Sequence, residues 1–222
     1  MSITSWFRRL SAIALTIIVS LTIFVLPANA FVATDYQKLL LTKECVGCDL
    51  SGADLYGKVL DGANLSNSNL SGALLNDARL KGANLTKANL SGAILMGITL
   101  SDADLTGANL SGADLYNALM SRTILSKADL TSADLTEANL TEANLTEALG
   151  KNAKLKGVIL SRSNLSGADL SNAPMRNTRL SDAKLKGTIL VGADLSNAVM
   201  PDGTIYNGDV TKFGAIEVAP KS

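Results

Sequence analysis

Residues 136–150 have the sequence TEANLTEANLTEALG, which repeats nearly the same five residues three times. A helix cannot use this period, because five residues advance it by about 500° and each leucine would land about 140° from the last. An extended chain can use it locally, since residues two apart face the same side, so that alanine and the next leucine point inward together. The other two residues must then turn the chain. The stretch therefore predicts a solenoid wound around an apolar axis.

The same period extends over most of the chain. Of the 31 positions taken every fifth residue from Leu50 to Met200, 27 are leucine, three are methionine and one is Gly150. Two residues before each of them lies a second constrained position, which is alanine in 22 of 31 cases. The period never slips by a residue, so we expect one uninterrupted core with a leucine layer and an alanine layer.

Gly150 is the one position in this series without a large apolar side chain. Leucine stands one place earlier, at 149, and Leu155 resumes the period, so no residue has been inserted. We expect a local kink, or a Leu149 side chain turned back into the core, in preference to a cavity that binds a ligand.

Units such as ANLTK, ADLTS, ANLTE and ADLSN resemble the pentapeptide repeat family, whose motif is A(D/N)LXX, from Cys48 to about Pro201. The resemblance implies an all-β solenoid, a right-handed quadrilateral β-helix of about eight coils with four pentapeptides per coil. The period alone would also allow a three-sided coil. The segment MPDGTIYN, residues 200–207, is similar to the terminus of exported cyanobacterial members. That similarity implies a non-enzymatic scaffold or interaction module in the thylakoid lumen or the periplasm.

The first 30 residues have the features of an export signal. Arg8 and Arg9 precede an apolar run over residues 10–26, and the small-residue sequence Ala-Asn-Ala ends at Ala30. This order predicts a cleaved signal peptide over residues 1–30. The alternative is an uncleaved anchor helix, although the run is at the short limit of what spans a bilayer. We expect no membrane association after cleavage, and the choice between Sec and twin-arginine export stays open.

Three further segments follow the signal. We predict an N-terminal capping helix and linker at 31–47, the β-helix at 48–202, and a C-terminal cap and tail at 203–222. Thr34 and Gln37 predict a capping box at the start of the helix. Its apolar face is predicted to comprise Tyr36, Leu39, Leu40 and Leu41. At the other end Ile205 and Val210 keep the five-residue period and predict a partial last coil.

Composition argues against several functions. Without residues 1–30 the chain has 18 basic and 20 acidic side chains, so no electrostatic attraction to nucleic acid is expected. Histidine is absent from the sequence, which removes the commonest general base and metal ligand, and two cysteines cannot complete a zinc site. We therefore predict no enzyme, cofactor or metal. DNA mimicry of the topoisomerase-protecting type, known in this family, is a less favoured alternative because the charge is nearly balanced.

Cys45 and Cys48 form a C-x-x-C motif. Outside the cytosol such a pair is a structural disulfide, two free buried thiols or a redox pair. Cys48 holds an inward position and Cys45 lies where helix meets coil, which favours a disulfide that clamps the cap. A redox-responsive lumenal protein that uses this pair is the alternative function.

One side of the predicted solenoid is less polar than the others. If residues 20 apart stack on successive coils, the outward positions on this side include five large apolar residues: Tyr56, Leu74, Ile94, Met96 and Tyr116. Further along come the basic residues Lys154, Lys156 and Arg176. We call the five apolar residues the apolar face and predict that it docks an unknown protein partner. Alternatively they are ordinary surface residues, or the helix or tail covers them. End-to-end and face-to-face dimers are both open.

Overall fold

The structure, a computed structural model, describes residues 32–216, so the predicted signal at 1–30 lies outside the described residues. Nearly every fifth residue from Glu44 to Val199 forms a parallel bridge with the residue 20 places away, as in Glu44 to Asn64 and Arg179 to Val199. Each coil therefore contains 20 residues, or four pentapeptides, as the family resemblance implies and unlike a three-sided coil. We use the word column for residues 20 apart, which stack on successive coils. The handedness stays a prediction.

Nearly all backbone N–H groups of a repeat unit have acceptors. The Asp or Asn donates to the preceding coil, while the leucine and the second turn residue donate to the next. The alanine closes a turn on the leucine three residues before it, and the second of the two residues between them has a positive φ, as in a type II turn. For one unit these bonds are Asp104 N to Ala83 O, Leu105 N to Ile124 O, Gly107 N to Ser126 O and Ala108 N to Leu105 O, at 2.7–3.0 Å.

The remaining N–H belongs to the residue after the leucine, and the outward Asp or Asn side chain accepts it. Thr106 N donates to Asp104 Oδ1 at 2.9 Å, for example. This Asx turn explains why the outward position of the motif is Asp or Asn. Where an apolar residue takes this position, the N–H two residues later loses that acceptor.

The core consists of the predicted leucine and alanine layers, which are buried along the solenoid except at Lys58 and Ala193, both half-buried. Hydroxyl residues that replace alanine are satisfied internally. Thr123 Oγ1 donates to the Leu100 carbonyl at 2.8 Å, and Thr188 Oγ1 to the Leu165 carbonyl at 2.7 Å. Within residues 32–216, the threonines that stand in place of alanine therefore leave no unpaired polar atom in the shaft.

Helix α1 (Ala33–Thr42) precedes the first coil. The predicted capping box is wrong, because the N-cap is Val32 and no side chain caps the helix. The Val32 carbonyl accepts the N–H groups of Asp35 and Tyr36, which leaves Thr34 inside the first turn. Within residues 32–216 no helix is both long and apolar enough to cross a membrane.

The apolar side of α1 differs from the prediction by one residue. Leu39 is buried, and Tyr36 and Leu40 pack against the core. Leu41 is 81% exposed, so its assignment to this side was wrong. It lies about 140° around the helix from Tyr36, whereas Leu39 and Leu40 follow Tyr36 at the spacings that share a helix face.

The C-terminal segment turns back over the last coil. Ile205 forms an antiparallel bridge with Val199, and Ile216 forms a parallel bridge with Ile189. Between them lie a short 3₁₀ helix, Thr211–Phe213, and the buried Val210. The predicted partial last coil is wrong at Ile205, which is exposed because the chain reverses there.

At Gly150 the backbone is regular and Leu149 points outward, so both predicted distortions are wrong. Leu149 N donates to the Ala128 carbonyl and Gly150 N to the Asp169 carbonyl, which holds Leu149 in an outward position with 51% exposure. The side chain of Leu170, on the neighbouring coil, occupies part of the space that a leucine at position 150 would fill. A Cβ added at Gly150 would lie 2.7 Å from Leu170 Cδ2, so this leucine side chain leans towards the missing one.

We expect the substitution Gly150→Leu to raise the free energy of unfolding by about 1–2 kcal/mol. A buried leucine contributes about 1.5–3 kcal/mol, and moving Leu170 back into its own layer takes part of this away. Chemical denaturation measures the change. The control is Gly112→Leu, at a turn with φ +65° and open space, where strain should lower stability. Destabilisation by Gly150→Leu would contradict the proposed position of Leu170.

Candidate docking surface

The five residues of the apolar face lie together on the first four coils. Leu74 and Ile94 are bridged neighbours in the outward Asx position. Tyr56, Met96 and Tyr116 belong to the adjacent column, at the first turn position. All five side chains are exposed, by 36–62%. Within residues 32–216, neither α1 nor the C-terminal segment covers them.

A shallow hollow of about 260 Å³ opens in this face. Two tyrosine rings and the Met96 side chain provide its apolar lining. Its lining residues are Tyr56, Asn76, Asp77, Met96, Gly97, Tyr116 and Asn117. Leu74 and Ile94 flank the hollow in the adjacent column. The structure thus brings three of the five predicted residues into one concave site and adds residues that the sequence did not indicate.

Asp77 is the charged residue of the hollow. It has φ +55°, in the left-handed region, and its side chain lies against Gly97 of the next coil. A Cβ at position 97 would come within 2.6 Å of Asp77 Oδ1, so glycine makes room for this carboxylate. Among the described residues the carboxylate has no hydrogen-bond or ion-pair partner. Its position beneath Gly97 follows from the 20-residue spacing, which could have identified it in the sequence.

The apolar face also changes the backbone around the hollow. Asp54 Oδ1 and Asp114 Oδ1 accept the N–H groups of Tyr56 and Tyr116 at 3.0 Å in the usual Asx turns. Leu74 and Ile94 cannot do this. In the described part of the chain the N–H groups of Asn76 and Met96 therefore donate to no protein acceptor, and they remain available to a ligand.

The basic residues further along this side are largely neutralised by acidic neighbours. Lys154 Nζ lies 3.0 Å from Asp134 Oδ2, and Arg176 pairs with Asp194. Hydrogen bonds from the Ser196 hydroxyl and from Arg176 lower the pKa of Asp194 to about 2. Lys154 and Arg176 therefore form local ion pairs, whereas Lys156 is exposed and has no ion-pair partner among the described residues.

Cys45 and Cys48 are joined in the structure by a disulfide, with an S–S distance of 2.10 Å, and both are buried. Cys45 Sγ lies 3.3 Å from the Asp35 carbonyl oxygen of α1. Asp35 Oδ2 also accepts the N–H of Asp49 in the first coil at 2.9 Å. The disulfide therefore lies at the junction between α1 and the solenoid.

Comparison with family models matches residues 44–211 to the model described as pentapeptide repeats, in overlapping segments with eight copies. The chain belongs to the pentapeptide repeat family. This pentapeptide repeat protein is similar to three solved structures in particular. HetL of the cyanobacterium Nostoc sp. strain PCC 7120, involved in heterocyst differentiation regulation, is 30% identical over 70% of this chain and 90% of its own, with a TM-score of 0.42.

A pentapeptide repeat protein from the thylakoid lumen of Arabidopsis thaliana is 35% identical. The match covers 55% of this chain and 72% of that chain, with a TM-score of 0.22. Trypsin-treated QnrB1, a plasmid-mediated fluoroquinolone resistance protein, is 20% identical over 65% of this chain and 78% of its own, with a TM-score of 0.48. Comparison with curated proteins gave no match.

Proposed function

We propose that this protein is a non-enzymatic, exported rod, folded as a right-handed quadrilateral β-helix, that serves as a scaffold or interaction module for another protein. Its family generally comprises structural or interaction modules. The observation that carries the proposal is the cluster of five exposed apolar side chains around one hollow. Exposed apolar clusters rimmed by polar residues are typical of protein-docking sites. The predicted signal at residues 1–30 supports a location in the thylakoid lumen or the periplasm.

Affinity capture of the full chain from its own cells tests this proposal. The wild type is compared with the double variant Leu74→Glu and Ile94→Glu, which places two carboxylates on the apolar face without touching the core. We expect one or more proteins to be retained by the wild type and lost from the variant, and to bind the wild type again after purification. Identical proteins on both baits would argue against docking at this face.

A redox-responsive role of the Cys45–Cys48 pair is the second candidate. The position of the disulfide between α1 and the first coil supports it, because reduction would loosen the N-terminal cap. A ring this small contributes about 1–2 kcal/mol to stability. We therefore expect dithiothreitol, or the double variant Cys45→Ser and Cys48→Ser, to lower the melting temperature by a few degrees and to speed amide exchange in α1 alone. Partner binding that is equal with and without reductant would remove this candidate.

DNA mimicry is not favoured. A rod that imitates a duplex needs a continuous acidic surface. Residues 120–200 carry ten basic side chains against eight acidic ones, so this half of the rod has a net positive charge, opposite to that of a duplex. Inhibition of gyrase supercoiling by the protein would reverse this judgement.

A further inference from the structure

We propose that the hollow binds an arginine side chain from an extended segment of the partner protein. In this arrangement Asp77 supplies the counter-charge, and Tyr56, Met96 and Tyr116 form the walls. The inference rests on the proposed function and specifies the chemistry of the partner. It assigns a binding role to Asp77 and a supporting role to Gly97.

The side of the rod that contains the hollow has unpaired negative charge. The three outward columns that build this side contain three carboxylates on the first four coils, Asp54, Asp77 and Asp114, and no cation. The adjacent Lys58 is half-buried in an inward slot and forms no ion pair with Asp77. An apolar hollow with an unpaired carboxylate is complementary to a cationic group that also has apolar surface.

The net charge of the surrounding coils also favours a cationic ligand. Residues 44–119, which contain the whole hollow, carry eight acidic side chains and four basic ones. Residues 120–200 carry an excess of basic side chains. The long-range field therefore attracts a basic segment to the N-terminal half of the rod, where the hollow is.

Arginine fits the lining better than lysine does. A guanidinium group is planar, stacks on aromatic faces and pairs with a carboxylate through two N–H groups. The hollow contains the Asp77 carboxylate and a tyrosine on either side of it along the rod, so a guanidinium can pair with Asp77 and stack on one of the two rings. A lysine ammonium is more strongly hydrated and would lose more on entering an apolar hollow.

The dimensions indicate an extended segment. Tyr56 and Tyr116 are three coils apart, roughly 14 Å at the usual spacing of about 4.8 Å, which about four residues of an extended chain would span. Its carbonyl groups could accept the free N–H groups of Asn76 and Met96. Its apolar side chains would contact Leu74 and Ile94.

A second copy of this chain is a poorer occupant. A twofold axis through the middle of the face would bring Asp54 of one copy towards Asp114 of the other and would supply no cation for Asp77. Like charges that approach across an interface oppose association. The occupant is therefore a different polypeptide.

Titration of the full chain, carrying ¹³C-methyl methionine, with two synthetic peptides tests the inference. The probes are Ac-GALRLAG-amide and the same peptide with neutral citrulline in place of arginine, and the Met96 methyl resonance reports binding. We expect the arginine peptide to bind about fivefold more tightly than the citrulline peptide, as for a partly exposed ion pair. Asp77→Asn should remove most of this difference. The control is Asp182→Asn, which lies outside the hollow at the same repeat position and also has a positive φ. It should change the affinity of neither peptide.

Equal affinity of the two peptides for the wild type, or binding of neither, would overturn the inference. So would sedimentation that shows a dimer abolished by Met96→Arg, since a second copy would then occupy the hollow. Capture of the same partner by the wild type and by Asp77→Asn with equal affinity would also overturn it. That last result would leave the proposed docking function intact, whereas capture of no partner by either bait would count against both.

Discussion

Replacing Leu110 with alanine should lower the free energy of unfolding by about 3 kcal/mol, whereas the same replacement at Leu149 should lower it by less than about 1 kcal/mol. Leu110 is fully buried in the shaft, so alanine there leaves a space that the neighbouring side chains fill only in part. A buried leucine-to-alanine change costs about 2–5 kcal/mol, part of it from the cavity. Leu149 is half exposed on the outside, and its truncation leaves no cavity.

Urea denaturation followed by circular dichroism measures both variants against the wild type. The pair is matched in chemistry, so the difference between them reports only which way each side chain points. Equal losses at the two positions would mean that Leu149 is in the core, contrary to the outward position described above.

Replacing Met96 with arginine should weaken binding of the partner by at least about 100-fold, or about 2.7 kcal/mol, with little change in stability. The new guanidinium would fill the hollow and pair with Asp77 from within the same chain. Residues at the centre of an interface carry effects of this size, whereas exposed substitutions usually change stability by less than about 0.5 kcal/mol.

Calorimetry with the purified partner measures this loss. The control is Asn152→Arg, which adds the same charge at an exposed turn outside the apolar face. Arg122 and Arg162 occupy the equivalent turn position with similar positive φ, so arginine is tolerated there. Equal weakening by both variants would point to a non-specific charge effect and not to the hollow.

The five-residue period predicted the main features of this fold because each unit has the same inward pair. Leucine and alanine alternate with one outward residue, and this spacing alone determines which side chains are buried. The family resemblance then supplied the 20-residue coil that brings Tyr56, Met96 and Tyr116 together. Without a known coil length, the sequence gives no reason to place these three residues on one surface.

What could not be predicted depends on contacts between coils. Packing between neighbouring coils places Leu170 beside Gly150, and no pattern within one repeat unit predicts that position. The predicted capping box failed for a similar reason, because Val32 N donates to the Asp49 carbonyl of the first coil, so tertiary bonding holds the residue that starts the helix. Asp77 is a different case, because the 20-residue spacing places it beneath Gly97, whose missing side chain leaves room for the carboxylate, and could have identified it.

Photo-crosslinking in the native cells is the most direct test of the docking surface. A photoreactive amino acid is placed at position 96, and in a second strain at position 156, which is exposed in the same column but lies beyond the apolar face. The docking account predicts one defined protein adduct from position 96 that is absent from position 156 and disappears with Tyr116→Arg. The same adducts from both positions, or none from position 96, would contradict it.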